Sequence, residues 1–164
     1  MPIAAGDIDY HLSGGGSNTD PAASLGGAIS TTEAASTIFD NVSSAEASAG
    51  DTEYRCVYVK NNHGSLTLTS PKVWIQANTP SGDTAVEISL GTSAVNGTEQ
   101  TIADESTAPT GTAFVSAANE GAGLSLGDLA PGATKAVWVK RIVSAAAAAA
   151  NDSFTLRVKG DTLP

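Results

Sequence analysis

The strongest catalytic string in the chain is Gly123-Leu-Ser125-Leu-Gly127, a match to Gly-x-Ser-x-Gly. That motif works when its serine sits on a strained strand-to-helix turn beside an oxyanion hole. Here Gly-Asp-Leu-Ala-Pro-Gly follows and opposes a helix. Both histidines, His11 and His63, precede the serine, against the Ser, acid, His order of that fold. The segment therefore reads as a strand of small residues ending in a turn. The two histidines lie far apart in sequence, with no His-x-x-x-His or carboxylate–histidine cluster, so the spacing gives no transition-metal motif. Asp7-x-Asp9 and Asp104-Glu105 lack the oxygen-rich spacing of a calcium loop and read as exposed acids. Gly14-Gly-Gly-Ser lacks the Gly-Lys-Ser/Thr of a phosphate loop and reads as a flexible hinge. Cys56 falls in mid-strand and reads as a small buried hydrophobe, and Trp74 and Trp138 as packing residues. No enzyme emerges, and no cofactor or metal is expected.

The elements that must position these residues are strands. Thr52 to Asn61 is rich in aromatic and β-branched residues, with Tyr54, Cys56 and Tyr58 on one face and Val57 and Val59 on the other. Val86, Ile88 and Leu90 alternate with polar residues, as do Phe154, Leu156 and Val158; Val137 and Val139 alternate with Trp138 and Lys140. Val73 to Ile75 continues Leu66-Thr-Leu68-Thr, and Pro71 between them suits an edge or a strand switch. Weaker runs at Ala113–Val115 and Leu124–Leu126 bring the count to about seven. Gly-Asp pairs at 6–7, 50–51, 82–83, 127–128 and 160–161 supply turns, four of them flanking a predicted strand. The alanine run 145–150 is too short for an isolated helix and is expected to be a long hairpin connection. A short helix is expected over Thr32–Phe39. The fold class is all-β: an immunoglobulin-like or jelly-roll β-sandwich of about seven strands with an extended N-terminal arm.

Charge divides the chain of 164 residues. Its net charge is −9, yet residues 1–54 hold eight acids and no Lys or Arg, leaving the rest near neutral. Residues 1–51 are expected to form an acidic extended arm and 52–164 the sandwich body. Within the arm, Ile8, Tyr10, Leu12, Leu25 and Ile29 are the candidate partner-binding residues. Two readings stay open: strand addition to a neighbour's sheet edge, or a wrap over the body's own edge strands. Acidity argues against nucleic acid and anionic membranes as partners. No apolar run approaches the ~20 residues of a membrane span, and Met-Pro-Ile-Ala-Ala-Gly-Asp is not expected to be a signal peptide. One cysteine excludes an internal disulfide and suits synthesis in a reducing cytoplasm.

Several strings together resemble a group of small tailed-bacteriophage virion proteins. They are Leu12-Ser-Gly-Gly, Asn18-x-Asp20-Pro21-x-Ala-Ser-Leu-Gly-Gly27, Phe39-Asp-x-Val-Ser, Gly50-Asp-Thr-Glu-Tyr-Arg-Cys-Val-Tyr-Val-Lys-Asn61, Asn96-Gly-Thr-Glu-Gln100 and Ala136-Val-Trp-Val-Lys-Arg141. The resemblance covers most of the chain and brings no chemical site. It implies a structural component similar to head decoration or cement proteins, made in the host cytoplasm and placed on the outer surface of the head. The implied partners are the major capsid protein and copies of the chain itself, a homotrimer being one arrangement. Two further expectations are a tail, neck or baseplate component, and a carbohydrate-binding β-sandwich adhesion module.

Overall fold

The computed structural model describes residues 2–148 and 152–162. It is an all-β sandwich with ten strands among the described residues: Ile8–Ser13, Gly26–Gly27, Ile29–Glu33 and Glu99–Thr101 add to the runs expected, and Ala113–Val115 is not a strand. The strands are β1 (Ile8–Ser13), β2 (Gly26–Gly27), β3 (Ile29–Glu33), β4 (Asp51–Asn61), β5 (Leu68–Ala77), β6 (Thr84–Leu90), β7 (Glu99–Thr101), β8 (Leu124–Ser125), β9 (Thr134–Val143) and β10 (Thr155–Thr162). A five-stranded sheet in the order β3-β1-β4-β9-β6 faces a three-stranded sheet in the order β10-β5-β8. Every pairing within them is antiparallel.

Alternation places two different cores on the large sheet. Val57 and Val59 of β4, Val86 and Ile88 of β6, and Val137 and Val139 of β9 turn inward against Leu68, Val73 and Ile75 of β5. On the opposite face Tyr54, Cys56, Tyr58, Ala136 and Trp138 form a second cluster with Ile102, and Leu25, Ile29 and Phe114 pack against it. β2 pairs with β7 there, so the chain around 24–29 and 97–102 forms a third layer. A strand covered on both faces is buried nearly throughout, as β4 is from Glu53 to Val59.

The N-terminal fifty residues are not a separate arm. Tyr10 pairs with Val59 and Leu12 with Val57, which places β1 in the body's own large sheet, with β3 outside it. Of the two readings open in the sequence, the chain takes the wrap over its own edge. Gly14 to Gly16 is not a loose hinge either. Gly15 donates to the Ala28 carbonyl, Asn18 donates to that of Gly15, and the Asn18 side chain donates to the Ser13 carbonyl. The left-handed φ of Gly14 (+98°) and Gly15 (+99°) makes this tight turn accessible to glycine.

Pro71 sits in a central strand, since β5 lies between β10 and β8. A bulge admits it. Ser70 has φ +50°, and the β10 register skips between Lys159 and Asp161, so the missing N–H costs no ladder bond. Pro71 still accepts from the Leu126 amide at 2.9 Å. Opposite the bulge, a Cβ on Gly160 would stand 2.9 Å from the Thr69 carbonyl oxygen and 3.0 Å from the Pro71 Cα. Gly160-Asp161 is therefore part of a strand rather than a turn.

The helix expected over Thr32–Phe39 is absent: Thr32 and Glu33 belong to β3, and Phe39 docks into the core from irregular chain. An α-helix, α1 (Ser44–Ala49), comes later. The Ser43 hydroxyl accepts from the Glu46 amide and Glu46 accepts from the Ser43 amide at 2.6 Å, a reciprocal cap. The alanine run connects β9 to β10 across the two sheets, not within a hairpin. Ala146 and Ala147 donate to carbonyls of α1, and Ala149 and Ala150 lie outside the described residues. Ala113–Val115 makes an isolated bridge to Ile88 rather than a strand.

Candidate functional site

The five residues expected to meet a partner are turned into the molecule. Leu12 is fully buried, and Ile8 and Tyr10 pack against the core between the sheets. Leu25 and Ile29 pack against the outer-face cluster. Burial pushes the Tyr10 phenol well up. The acids of the same segment are also occupied: Asp7, Asp20 and Glu46 accept from backbone amides at turns and helix starts, and Asp40 and Glu53 face arginines. The negative charge is thus largely local structure, not an open patch.

The third layer is pinned by buried polar groups. Glu99 is 3% exposed and accepts from the Ser93 amide at 2.9 Å, Thr92 Oγ1 at 3.0 Å and Trp138 Nε1 at 3.3 Å. Burial alone would raise its carboxyl, but these donors outweigh burial and hold it down at about 2. Tyr58 Oη donates to the Gly27 carbonyl at 2.6 Å and accepts from the Glu99 amide at 3.0 Å. Burial pushes this phenol up to about 12. One tyrosine on β4 thereby ties the two short strands of the outer layer to the sheet beneath. Gly26 completes the fit, because a Cβ there would strike the Gln100 carbonyl.

A second polar cluster closes one end of the interior. Glu53 and Arg55 point between the sheets from β4 and are fully buried. Arg141 on β9 stands opposite Glu53 and pairs with it, while Arg55 pairs with Glu105 at 2.5 Å. Both guanidinium groups stand over the Phe39 ring, Arg55 at 5.4 Å and Arg141 at 4.8 Å from its centre, in cation–π range. Burial raises the Glu53 carboxyl despite its arginine neighbours. Beside the cluster a cleft of about 960 Å³ opens between the sheets, with Tyr10, Val57, Val86, Phe154 and Leu156 in its walls. Across it, Asp152 accepts from the hydroxyls of Ser81 and Thr84, which lower its carboxyl. The arrangement holds charge and fixes chain; no serine, cysteine or histidine stands among the residues lining the cleft as an activated nucleophile–base pair.

The other sequence candidates separate. Ser125 is exposed on β8 opposite Lys72, and the chain turns at Gly127 and Asp128, whose carboxylate accepts from the Ser70 amide. His63 caps its own turn, its Nδ1 accepting from the Ser65 and Leu66 amides. Asp104 accepts from Ser106 and Thr107 in a local turn. Cys56 is buried beside Trp138, burial raising its thiol, and Trp74 belongs to the inner core. Sequence reasoning missed Glu99, Arg55 and Glu53. The charge in Glu-Tyr-Arg at the head of an otherwise apolar strand was the one available signal for the last two. No family model matches the chain, and comparison with curated proteins and with solved structures finds no match either.

Proposed function

We propose that this protein is a non-enzymatic structural component of a tailed-phage virion, acting as a decoration or cement protein on the outside of the head. Its partners in this reading are the major capsid protein and copies of itself. The observation that carries the reading is the outer layer: long loops fixed to the sheet by buried Glu99 and Tyr58, yet presenting small side chains to solvent. Thr98 and Thr101 are exposed in that layer, and Ser17, Thr19, Ala94, Ser106 and Ala108 are exposed in the segments that lead into and out of it. Small side chains lose little rotamer freedom on contact, whereas Lys or Arg would lose up to ~2 kcal/mol each. A pre-ordered surface of this kind supports close backbone approach to a neighbour at low entropic cost. The composition agrees, since about half of the chain is Ala, Ser, Thr or Gly.

The test is the position and copy number of this chain in intact particles. Density on the outer capsid surface, with copies comparable to the major capsid protein, is the expected result. A few copies confined to the tail, neck or baseplate, or no incorporation at all, would overturn it. Saturable binding on a glycan array together with absence from particles would favour adhesion instead.

A further inference from the structure

Five buried side-chain polar atoms lack a hydrogen-bond partner among the described residues, and one of them, His11 Nε2, belongs to a cluster of possible metal ligands. His11 stands on β1 directly opposite Glu33 of β3, and Asp9, two residues earlier, shares that face. One donor atom from each of Asp9, His11 and Glu33 lies within 4.8 Å of the other two. The imidazole is 5% exposed. Its Nδ1 lies 3.0 Å from the Ser30 carbonyl oxygen. A carbonyl can only accept, so Nδ1 carries the hydrogen, and in the neutral ring Nε2 offers its lone pair. That Nε2 is buried and has no hydrogen-bond partner among the described residues.

A buried acceptor left without a partner is costly, and the ring that carries this one lies in a cluster with two carboxylates. Metal-ligating histidines show the same arrangement: a backbone carbonyl takes one ring N–H and fixes the tautomer, and the other nitrogen faces the ion. The Asp9 carboxylate is itself oriented by the Asn62 side-chain amide. Glu33 is exposed, so the group opens to solvent on its side. We propose that Asp9, His11 and Glu33 bind a divalent transition-metal ion, with zinc as the reference ion. The ligands are His11 Nε2 and one oxygen from each carboxylate, and water takes the fourth position. The imidazole favours zinc over magnesium or calcium, which prefer all-oxygen shells. Two adjacent strands supply the ligands, so the ion fastens the edge strand β3 to β1.

The full-length protein, stripped with a chelator and dialysed, is titrated with Zn²⁺ by calorimetry and with Co²⁺ by visible absorption. One saturable site at micromolar Zn²⁺, with Co²⁺ bands of four-coordinate intensity and a melting temperature that rises with Zn²⁺, is expected. Asp9→Asn and Glu33→Gln lie at partly or fully exposed positions, so their folding is preserved. Each should weaken Zn²⁺ binding by at least about tenfold, and His11→Gln should abolish it. Lack of saturation below millimolar Zn²⁺ overturns the proposal. So does wild-type affinity in Asp9→Asn and Glu33→Gln, which would place the ion on other surface acids. Equal affinity for Mg²⁺ also overturns it.

Discussion

Glu99→Gln tests whether one buried carboxylate holds the outer layer to the large sheet. The ionised group accepts from Ser93, Thr92 and Trp138, and its carboxyl falls from 4.5 to about 2. At 1.36 kcal/mol per pH unit, the donors favour the charged folded form by about 3 kcal/mol. Because the folded value is depressed, this stability is fully present above about pH 4.5 and is lost as pH falls towards about 2. About half of it survives at about pH 3. Glutamine keeps the shape but not the charge, and its NH₂ turns a donor towards at least one existing donor. The expected loss is about 2–3 kcal/mol at neutral pH. Guanidinium unfolding of both proteins at about pH 7 and about pH 3, followed by tryptophan emission, measures the gap at each. The gap should narrow by at least about 1 kcal/mol between the two. A gap below about 0.5 kcal/mol at neutral pH, or one that does not change with pH, would refute the reasoning.

Tyr58→Phe removes a buried hydroxyl that both donates to Gly27 and accepts from Glu99. It should cost about 1–3 kcal/mol in the same denaturation assay. Arg55→Met leaves Glu105 without its arginine, while Glu53 keeps Arg141. A loss of about 1.5–3 kcal/mol is expected, visible as a lower guanidinium midpoint. Leu129→Ala empties a fully buried position between the sheets and should cost about 2–5 kcal/mol. Ser125→Ala, on an exposed strand, should leave the midpoint within about 0.5 kcal/mol of the parent.

What the sequence reveals depends on how far apart the determining residues lie. Period-two alternation identifies β4, β6, β9 and β10, because each strand carries its own apolar face. The outer layer is harder to read: Tyr54, Cys56 and Tyr58 mark an apolar second face, but nothing local says that residues 24–29 and 97–102 cover it. Glu99 looks like any surface acid in Asn96-Gly-Thr-Glu-Gln100, since its donors include Trp138 on β9. Pro71 misleads because its bulge is completed by Gly160, on a strand at the other end of the chain. The helix signal lies later in the chain: Ser43-Ser-Ala-Glu46 is a capping box, whereas Thr31-Thr-Glu33 lies in an edge strand. The candidate partner residues failed for a simpler reason. Apolar spacing shows that a strand will be buried, not which sheet buries it. His11 carries no metal-binding signal in sequence because Glu33 reaches it only through strand pairing.

The central place of β4 sets the order in which the chain can fold. Its partners are β1, paired as Leu12 with Val57, and β9, paired as Cys56 with Trp138. None of the pairings that define the two sheets joins strands that are consecutive in sequence. Closing such long loops comes before any pairing can reward it, so folding belongs in the millisecond-to-second range of β-rich topologies. During that interval the Tyr54–Val59 run is synthesised and exposed while β9 and its Trp138 are still to come. The acids that flank it early in the chain then act on the unfolded ensemble, where like charge keeps unfinished copies apart until the last strands arrive.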